Sequence, residues 1–380
     1  MRKTTLWKIV ALLCLCALLT AFSTGCGKKD NSPATSQEPA PPTAQQPSDN
    51  TGTKDNTPSE SGKITLSDGS VYPSEPITIL CGWAPGGNSD LMCQLLASKL
   101  KESIGVNANV SYMEGGDGTI ALGSIANNTE ADGYTIALCA SGQFSIKPFT
   151  QDVSYEIENF SFTPGAAEEC YCIFVNKDTG FETLDALVAY YKANPDKTLH
   201  YGMSGANGIP HLSTRLVWDE LGLSNTQVVS YDGGATALAA CLGSEIEAIC
   251  VVASIGQPSY ESGDLNAMVM LTNERLAAMP DVKTLGEFGY ETISAGVKKA
   301  YCLPAGTDPQ IVDFLSDIFQ DIYSTDEWAQ FLADNTCNPC TLTGEEYKDA
   351  CMSSAGTFWN LLEQLDLLKE GAEKPAYMLS

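Results

Sequence analysis

The sequence predicts an α/β fold of two lobes with mainly parallel sheets. Short apolar β-forming runs alternate with helical-period segments in two successive sets, and Gly-rich turns follow the strands in both sets. The chain has 380 residues, 43% hydrophobic and 18% charged, which supplies apolar surface for about two domains of roughly 150 residues each.

In the first set, Ile77–Trp83 reads as a strand bounded by Pro85-Gly86-Gly87. Asn88 and Ser89 are N-cap types, and Asp90 favours a first helical turn. Leu91, Met92, Leu95, Leu96, Leu100 and Ile104 then recur at helical spacing, with Gly105 as the stop. Val106–Tyr112 is a strand, Glu114 to Gly118 a loop, Thr119–Asn128 a helix and Tyr134–Cys139 a third strand. The second set has strands at Tyr171–Asn176, Leu199–Met203, Gln227–Tyr231, Ala248–Val252 and Ala267–Leu271. Its helices fall at Thr183–Ala193, Pro210–Leu221 and Ala235–Leu242. C-terminal helices are expected at Pro309–Tyr323, Asp326–Asp334 and Glu345–Leu368.

The N-terminus reads as an export signal. Arg2, Lys3 and Lys8 precede a largely apolar run from Ile9 to Phe22, too short to span a bilayer, which needs roughly 18–20 residues. Ser23-Thr24-Gly25-Cys26 resembles a bacterial lipobox, with Ser23 where Leu is usual. Residues 1–25 are thus expected as the signal peptide and Cys26 as a lipidated N-terminus; the alternative is an ordinary cleaved signal with an incidental Cys. Residues 26–62 are expected as anchor and disordered linker, because Gly27 to Gly62 holds no large apolar residue.

The net charge of −26 opposes binding to nucleic acid, so no nucleic-acid partner is expected. Two histidines, His200 and His211, limit His-based metal sites and catalysis. Beyond Cys26 there are eleven cysteines, many within apolar runs. Cys337 and Cys340 suggest a local disulfide or free thiols rather than zinc, since a fourth ligand is missing. No metal and no cofactor are expected.

The Gly-rich turns carry the functional signal. They stand at 85–90, 115–119, 204–208 and 232–236. A turn of this kind before a helix presents backbone N–H groups at the positive end of the helix dipole, which suits an anion. Four across two lobes indicate a cleft lined by backbone donors. None matches a dinucleotide or P-loop fingerprint.

These segments resemble the substrate-binding receptors of tripartite tricarboxylate transporters, the Bug-type receptors. The resemblance rests on Trp83-Ala84-Pro85-Gly86-Gly87-Asn88-Ser89-Asp90, then Gly115 to Thr119, Asp132-Gly133-Tyr134-Thr135 and Lys192-Ala193-Asn194-Pro195. It continues through His211-Leu212, Tyr231-Asp232-Gly233, Arg275 to Gly289 and Leu303 to Thr307. It implies a periplasmic-binding-protein-like fold whose lobes close on a small carboxylate. Lobe 1 is expected to comprise residues 63–170 and 293–380, and lobe 2 residues 171–292. The implied ligand-binding positions are Trp83, Ala84, Pro85, Gly86, Gly87, Ser89, Gly116 and Ser141 in the first lobe. Ser204, Gly205, Asn207, Tyr231 and Asp232 are those of the second. Backbone N–H groups are expected to approach the ligand closely at Gly87 and Gly205, where a Cβ would intrude or forbid a positive φ and misaim those donors. Asp90 is expected to brace its loop, His211 to be structural and Asp117 to face solvent, with a ligand amino group as its alternative partner. Gln94, Asp117 and Ala240 stand where the family usually has Arg, a small residue and Asp, which disfavours a tri-anion.

The resemblance further implies a lipid-anchored, extracytoplasmic, monomeric receptor that delivers ligand to separate membrane permease subunits and is not an enzyme. The alternatives are a secreted lipoprotein hydrolase, against which stands the lack of a nucleophile elbow, and an adhesin-like lipoprotein, against which stands the lack of repeats.

Overall fold

A computed structural model describes residues 62–204, 207–231, 233–290 and 296–378. The signal segment, Cys26, the linker, Gly205, Asp232 and the second lobe boundary at residue 293 lie outside the described residues.

The first set of elements builds one sheet. β1 (Ile64–Thr65) and β2 (Val71–Tyr72) form a small antiparallel pair ahead of it. β3 (Ile77–Cys81) is a β-branched apolar run buried except at Thr78. It leads to α1 (Asn88–Ile104), whose Met92, Cys93, Leu96, Leu100 and Ile104 are buried at helical spacing. Gly105 ends α1 at φ 69°, its N–H donating to Lys101 O at 3.1 Å. β4 (Ala108–Tyr112), α2 (Thr119–Asn128) and β5 (Thr135–Ala140) follow, and β4 and β5 flank β3 in parallel. Two short turns, α3 (Gly142–Ser145) and α4 (Lys147–Thr150), precede the long β6 (Phe160–Glu169).

One residue, Cys170, separates β6 from β7 (Tyr171–Asn176) in the second sheet. There α5 (Leu184–Ala193), β8 (Leu199–Ser204), α6 (Ile209–Glu220), β9 (Thr226–Tyr231) and α7 (Gly234–Leu242) alternate. β10 (Ala248–Val252), α8 (Ala253–Glu261) and β11 (Leu265–Met270) complete it. The chain returns with β12 (Val297–Pro304), then α9 (Pro309–Tyr323), α10 (Asp326–Asp334), β13 (Cys337–Asn338) and α11 (Gly344–Gln364).

The strand orders are β13-β6-β12-β5-β3-β4 and β11-β7-β10-β8-β9. Each sheet has a parallel core of three strands, β5-β3-β4 in one and β10-β8-β9 in the other. Antiparallel strands adjoin each core: β12 and β6 in the first sheet, β7 in the second. These are the strands on which the chain passes between sheets.

Each sheet is covered on both faces. Leu96, Leu100, Phe314, Phe319 and Trp328 from α1, α9 and α10 cover one face of the first sheet, and Leu122, Ile125 and Tyr347 lie in the core of the other. The second sheet packs against Leu187, Leu212 and Trp218 on one face and Ala237 and Cys241 on the other. α11 belongs to both bodies. A capping box between Thr343 and Glu346 starts it, with backbone-to-side-chain bonds of 2.9 and 3.2 Å. Its Tyr347 and Cys351 pack in the first sheet's core, whereas Phe358, Trp359 and Leu362 join the core of the second. The C-terminal segment, expected wholly in lobe 1, therefore packs on both sheets and adds a third connection to the two chain crossings.

All eleven described cysteines are free thiols, Cys340 half-buried and the others buried. Cys337 and Cys340 are not bridged.

Candidate ligand-binding cleft

Between the sheets lies a cleft of about 600 Å³. The first sheet lines it with Trp83, Gly87, Ser89, Asp117, Lys147 and Lys299, among others, and the second with Tyr171, Ile209, Val252 and Ile255.

The loop from Trp83 to Gly87 is held by Asp90. Its Oδ2 accepts the Gly86 N–H at 2.7 Å, and its Oδ1 accepts the Tyr112 hydroxyl at 2.7 Å and Gln94 Nε2 at 3.3 Å. The Gly86 bond first, then that from Tyr112, holds the Asp90 carboxyl below the usual carboxylate range. Gln94 thus occupies the Arg position of the family pattern as a brace. The demand for glycine falls on Gly86, at φ 91°, and not on Gly87. Gly87 has an extended φ of −89°, and the nearest atom to a Cβ there is Ala84 O at 3.9 Å. Gly87 thus needs no positive φ, and protein atoms leave room for a Cβ there.

The second loop runs through Gly115, Gly116, Asp117 and Gly118, all at positive φ. Asp117 is exposed, as expected, and is also tied in place. Trp83 Nε1 donates to its Oδ1 at 2.9 Å, Lys147 Nζ lies 3.3 Å from its Oδ2, and Gln143 Nε2 donates to its carbonyl at 2.9 Å. Gln143 Oε1 in turn accepts the Ala140 N–H at 2.7 Å, which ties the loop to the end of β5. A Cβ at Gly118 would overlap Gln143 Nε2 and stand 3.2 Å from the Trp83 ring, so only glycine brings these groups together.

At the base, β12 supplies Lys299, 4% exposed. Its ammonium donates to Glu169 Oε1 at 2.7 Å and to Ser89 Oγ at 2.8 Å, and lies 5.4 Å from the Trp83 ring centroid. Lys298 faces the other way and pairs with Glu168 at 2.9 Å.

Three helices of both bodies open on the cleft: α1 at Asn88 and Ser89, α6 at Gly208 and Ile209, α8 at Ser254. Their N-cap residues, Gly87, Gly208 and Val252, make no side-chain cap bond. First-turn N–H groups and positive dipole ends therefore face the cavity. The loop ahead of α6 is fixed by Asn207, at φ 60°, whose N–H donates to His211 Nδ1 at 3.0 Å. Burial first, then Arg215, pushes the His211 pKa below its ordinary value, so the ring stays neutral and accepts that bond.

Of the positions read from the sequence, Trp83, Gly87 and Ser89 line the cavity. Ala84, Pro85, Gly86 and Gly116 are exposed and stand outside the lining. Ser141 is buried, its Oγ accepting the Lys298 N–H at 3.2 Å, while its neighbours Ala140 and Gly142 reach the cavity. Asn207 acts through its bond to His211, and Tyr231 packs near Gly202 at the end of β9. Ser204 ends β8. Sequence reasoning missed Gln143, Lys147, Glu169 and Lys299, together with the apolar wall of Ile209, Val252 and Ile255. A lysine pair inside an apolar run, Val297-Lys298-Lys299-Ala300-Tyr301, was the available signal.

The sequence model of the tripartite tricarboxylate transporter family receptor matches residues 92–360. Protein BugT of Bordetella pertussis is 28% identical over 252 residues, covering 65% of this chain and 76% of that protein. A TctC solute binding protein from Polaromonas superposes with a TM-score of 0.69 at 23% identity, covering 77% of this chain and 99% of the other. Rpa4515 of R. palustris, solved with adipate, superposes with a TM-score of 0.65 at 20% identity, covering 78% and 98%. The two-sheet architecture is thus that of periplasmic solute-binding proteins, and the family match spans most of the described residues. The chain belongs to the tripartite tricarboxylate transporter receptor family.

Proposed function

We propose that the protein is an extracytoplasmic solute receptor. It captures a small carboxylate-bearing metabolite between its sheets and hands it to the membrane permease of a tripartite tricarboxylate-type transporter. One observation carries this: three helix N-termini without side-chain caps, from both bodies, open on one cavity beside a buried lysine. Each such terminus favours an anion by about 0.3–1 kcal/mol, and more when partly buried. The adipate held by Rpa4515 supports a carboxylate as the ligand type. Closure of the two bodies on the ligand would offer the loaded form to the permease.

The receptor binds and releases its ligand unchanged. The ionisable pairs of the described cleft are engaged with each other, which supports binding rather than turnover. The protein is read as a monomer, moored outside the membrane by lipid on Cys26 through the segment 26–62. Cys26→Ser should release it into the soluble fraction; retention as firm as that of the unsubstituted chain would sink the anchor.

Native mass spectrometry of the purified protein tests the central reading. A co-purifying small carboxylate, confirmed by ligand-dependent thermal stabilisation, is the expected result. Turnover of that molecule by the protein, or uptake without any permease, would contradict it.

A further inference from the structure

The charges of the cleft cancel among themselves. Among the described lining residues the carboxylates and ammonium groups are Asp117, Lys147, Glu169 and Lys299. They pair as Lys147 with Asp117 at 3.3 Å and Lys299 with Glu169 at 2.7 Å. No lining arginine or histidine adds a charge among the described residues. A di- or tricarboxylate held here would bring charges that meet no uncommitted cation, and an unpaired desolvated carboxylate is costly. The starts of α1, α6 and α8 line the same cavity, and first-turn N–H groups there suit a single carboxylate.

What remains is acceptor capacity and apolar wall. The Asp117 side chain is 57% exposed at the cleft. Its placement is deliberate in cost: a non-glycine residue held at φ 59°, with Trp83 Nε1 fixing one oxygen. The surrounding wall is Ile146, Ile209, Pro210, Val252, Ile255 and Val297. An ammonium group complements the first feature and an aliphatic chain the second.

We propose that the cleft selects a zwitterionic α-amino acid with an apolar side chain. Its carboxylate sits on the helix N-termini, its ammonium on Asp117 and its side chain against Ile209, Val252, Ile255 and Val297. This rests on the receptor reading above and narrows it from any small carboxylate to one class.

The test is calorimetric titration of the purified full chain with L-leucine, L-valine, 4-methylpentanoate, succinate and citrate. At least one amino acid should bind, and leucine should exceed 4-methylpentanoate roughly tenfold or more, as a charge-assisted hydrogen bond implies. Asp117→Asn keeps the Oδ1 acceptor for Trp83 and removes the charge. It should weaken amino-acid binding roughly fivefold or more without weakening 4-methylpentanoate, because Lys147, freed of its partner, still attracts a carboxylate. Tighter binding of succinate or citrate than of both amino acids overturns the proposal and leaves the receptor reading standing. Equal loss for leucine and 4-methylpentanoate in Asp117→Asn overturns the role of Asp117. Failure of both amino acids to bind overturns the proposal outright, while a co-purified carboxylate found by mass spectrometry judges the receptor reading separately.

Discussion

Glu169→Leu would strand a buried cation. Lys299 is 4% exposed, and with the carboxylate gone its ammonium keeps Ser89 Oγ at 2.8 Å and the Trp83 face at 5.4 Å. Breaking a buried pair by removing one partner costs about 3–5 kcal/mol. The remaining hydroxyl and ring return about 1 kcal/mol of that. A net loss of about 2–4 kcal/mol is therefore expected. In the double variant Glu169→Leu with Lys299→Met neither charge remains, and stability should return to within about 1 kcal/mol of the starting protein. Urea unfolding of the two single variants and the double gives the coupling directly. Additive losses would show that each side chain acts through its own packing, and the electrostatic account of the cleft base would fall.

Two further substitutions probe the loops. Gly118→Ala should cost about 1–3 kcal/mol and weaken ligand binding, because the Cβ meets Gln143 and Trp83 at a φ of 83°. Gly87→Ala, at an ordinary φ with open space, should stay within about 0.5 kcal/mol in the same urea assay. His211 gives a pH dependence. Its folded pKa lies below the ordinary 6.5, so its contribution is fully present above 6.5 and is lost as pH falls from there through the folded value. The urea midpoint should therefore drop between about pH 7.5 and about pH 5.5 by more in the unsubstituted chain than in His211→Asn. An equal drop in both would remove His211 as its source.

The parallel cores were legible because their signals are local. Helix α1 shows its apolar period and its glycine stop, Ala248–Val252 in a parallel core is an unbroken apolar run, and the antiparallel Tyr171–Asn176 beside it is as apolar up to its last residue. The antiparallel β6 and β12 were not, because their sequences break the rules of a strand seen alone. β6 contains Pro164-Gly165, where the register with β12 shifts and the Gly165 N–H donates to Leu342 O at 2.8 Å instead. It ends in Glu168-Glu169, and β12 carries Lys298-Lys299 directly after its first residue. Charges at those positions look like solvated loop until the antiparallel pairing sets Lys298 opposite Glu168 and brings Lys299 to Glu169. The cleft had the same division. Gly-rich turns announce backbone donors, so the loops at Trp83 and Asp117 could be found from their neighbours in sequence. Lys147, Glu169 and Lys299 come from separate strands and turns and meet only in the folded chain.

The last helix bears on the order in which the chain can finish folding. Phe149 meets Trp359 edge to face at 5.2 Å, and Ala355, Phe358 and Leu362 complete a core otherwise built from residues 146–290. A nascent chain that has delivered every strand of the second sheet still has an open apolar surface until the final thirty or so residues arrive. A chain cut after Cys351 would keep every strand and every lining residue of the cleft, yet would leave that core uncovered and prone to association with other chains. The C-terminus thus serves as the closing seal of the body farther from it along the sequence.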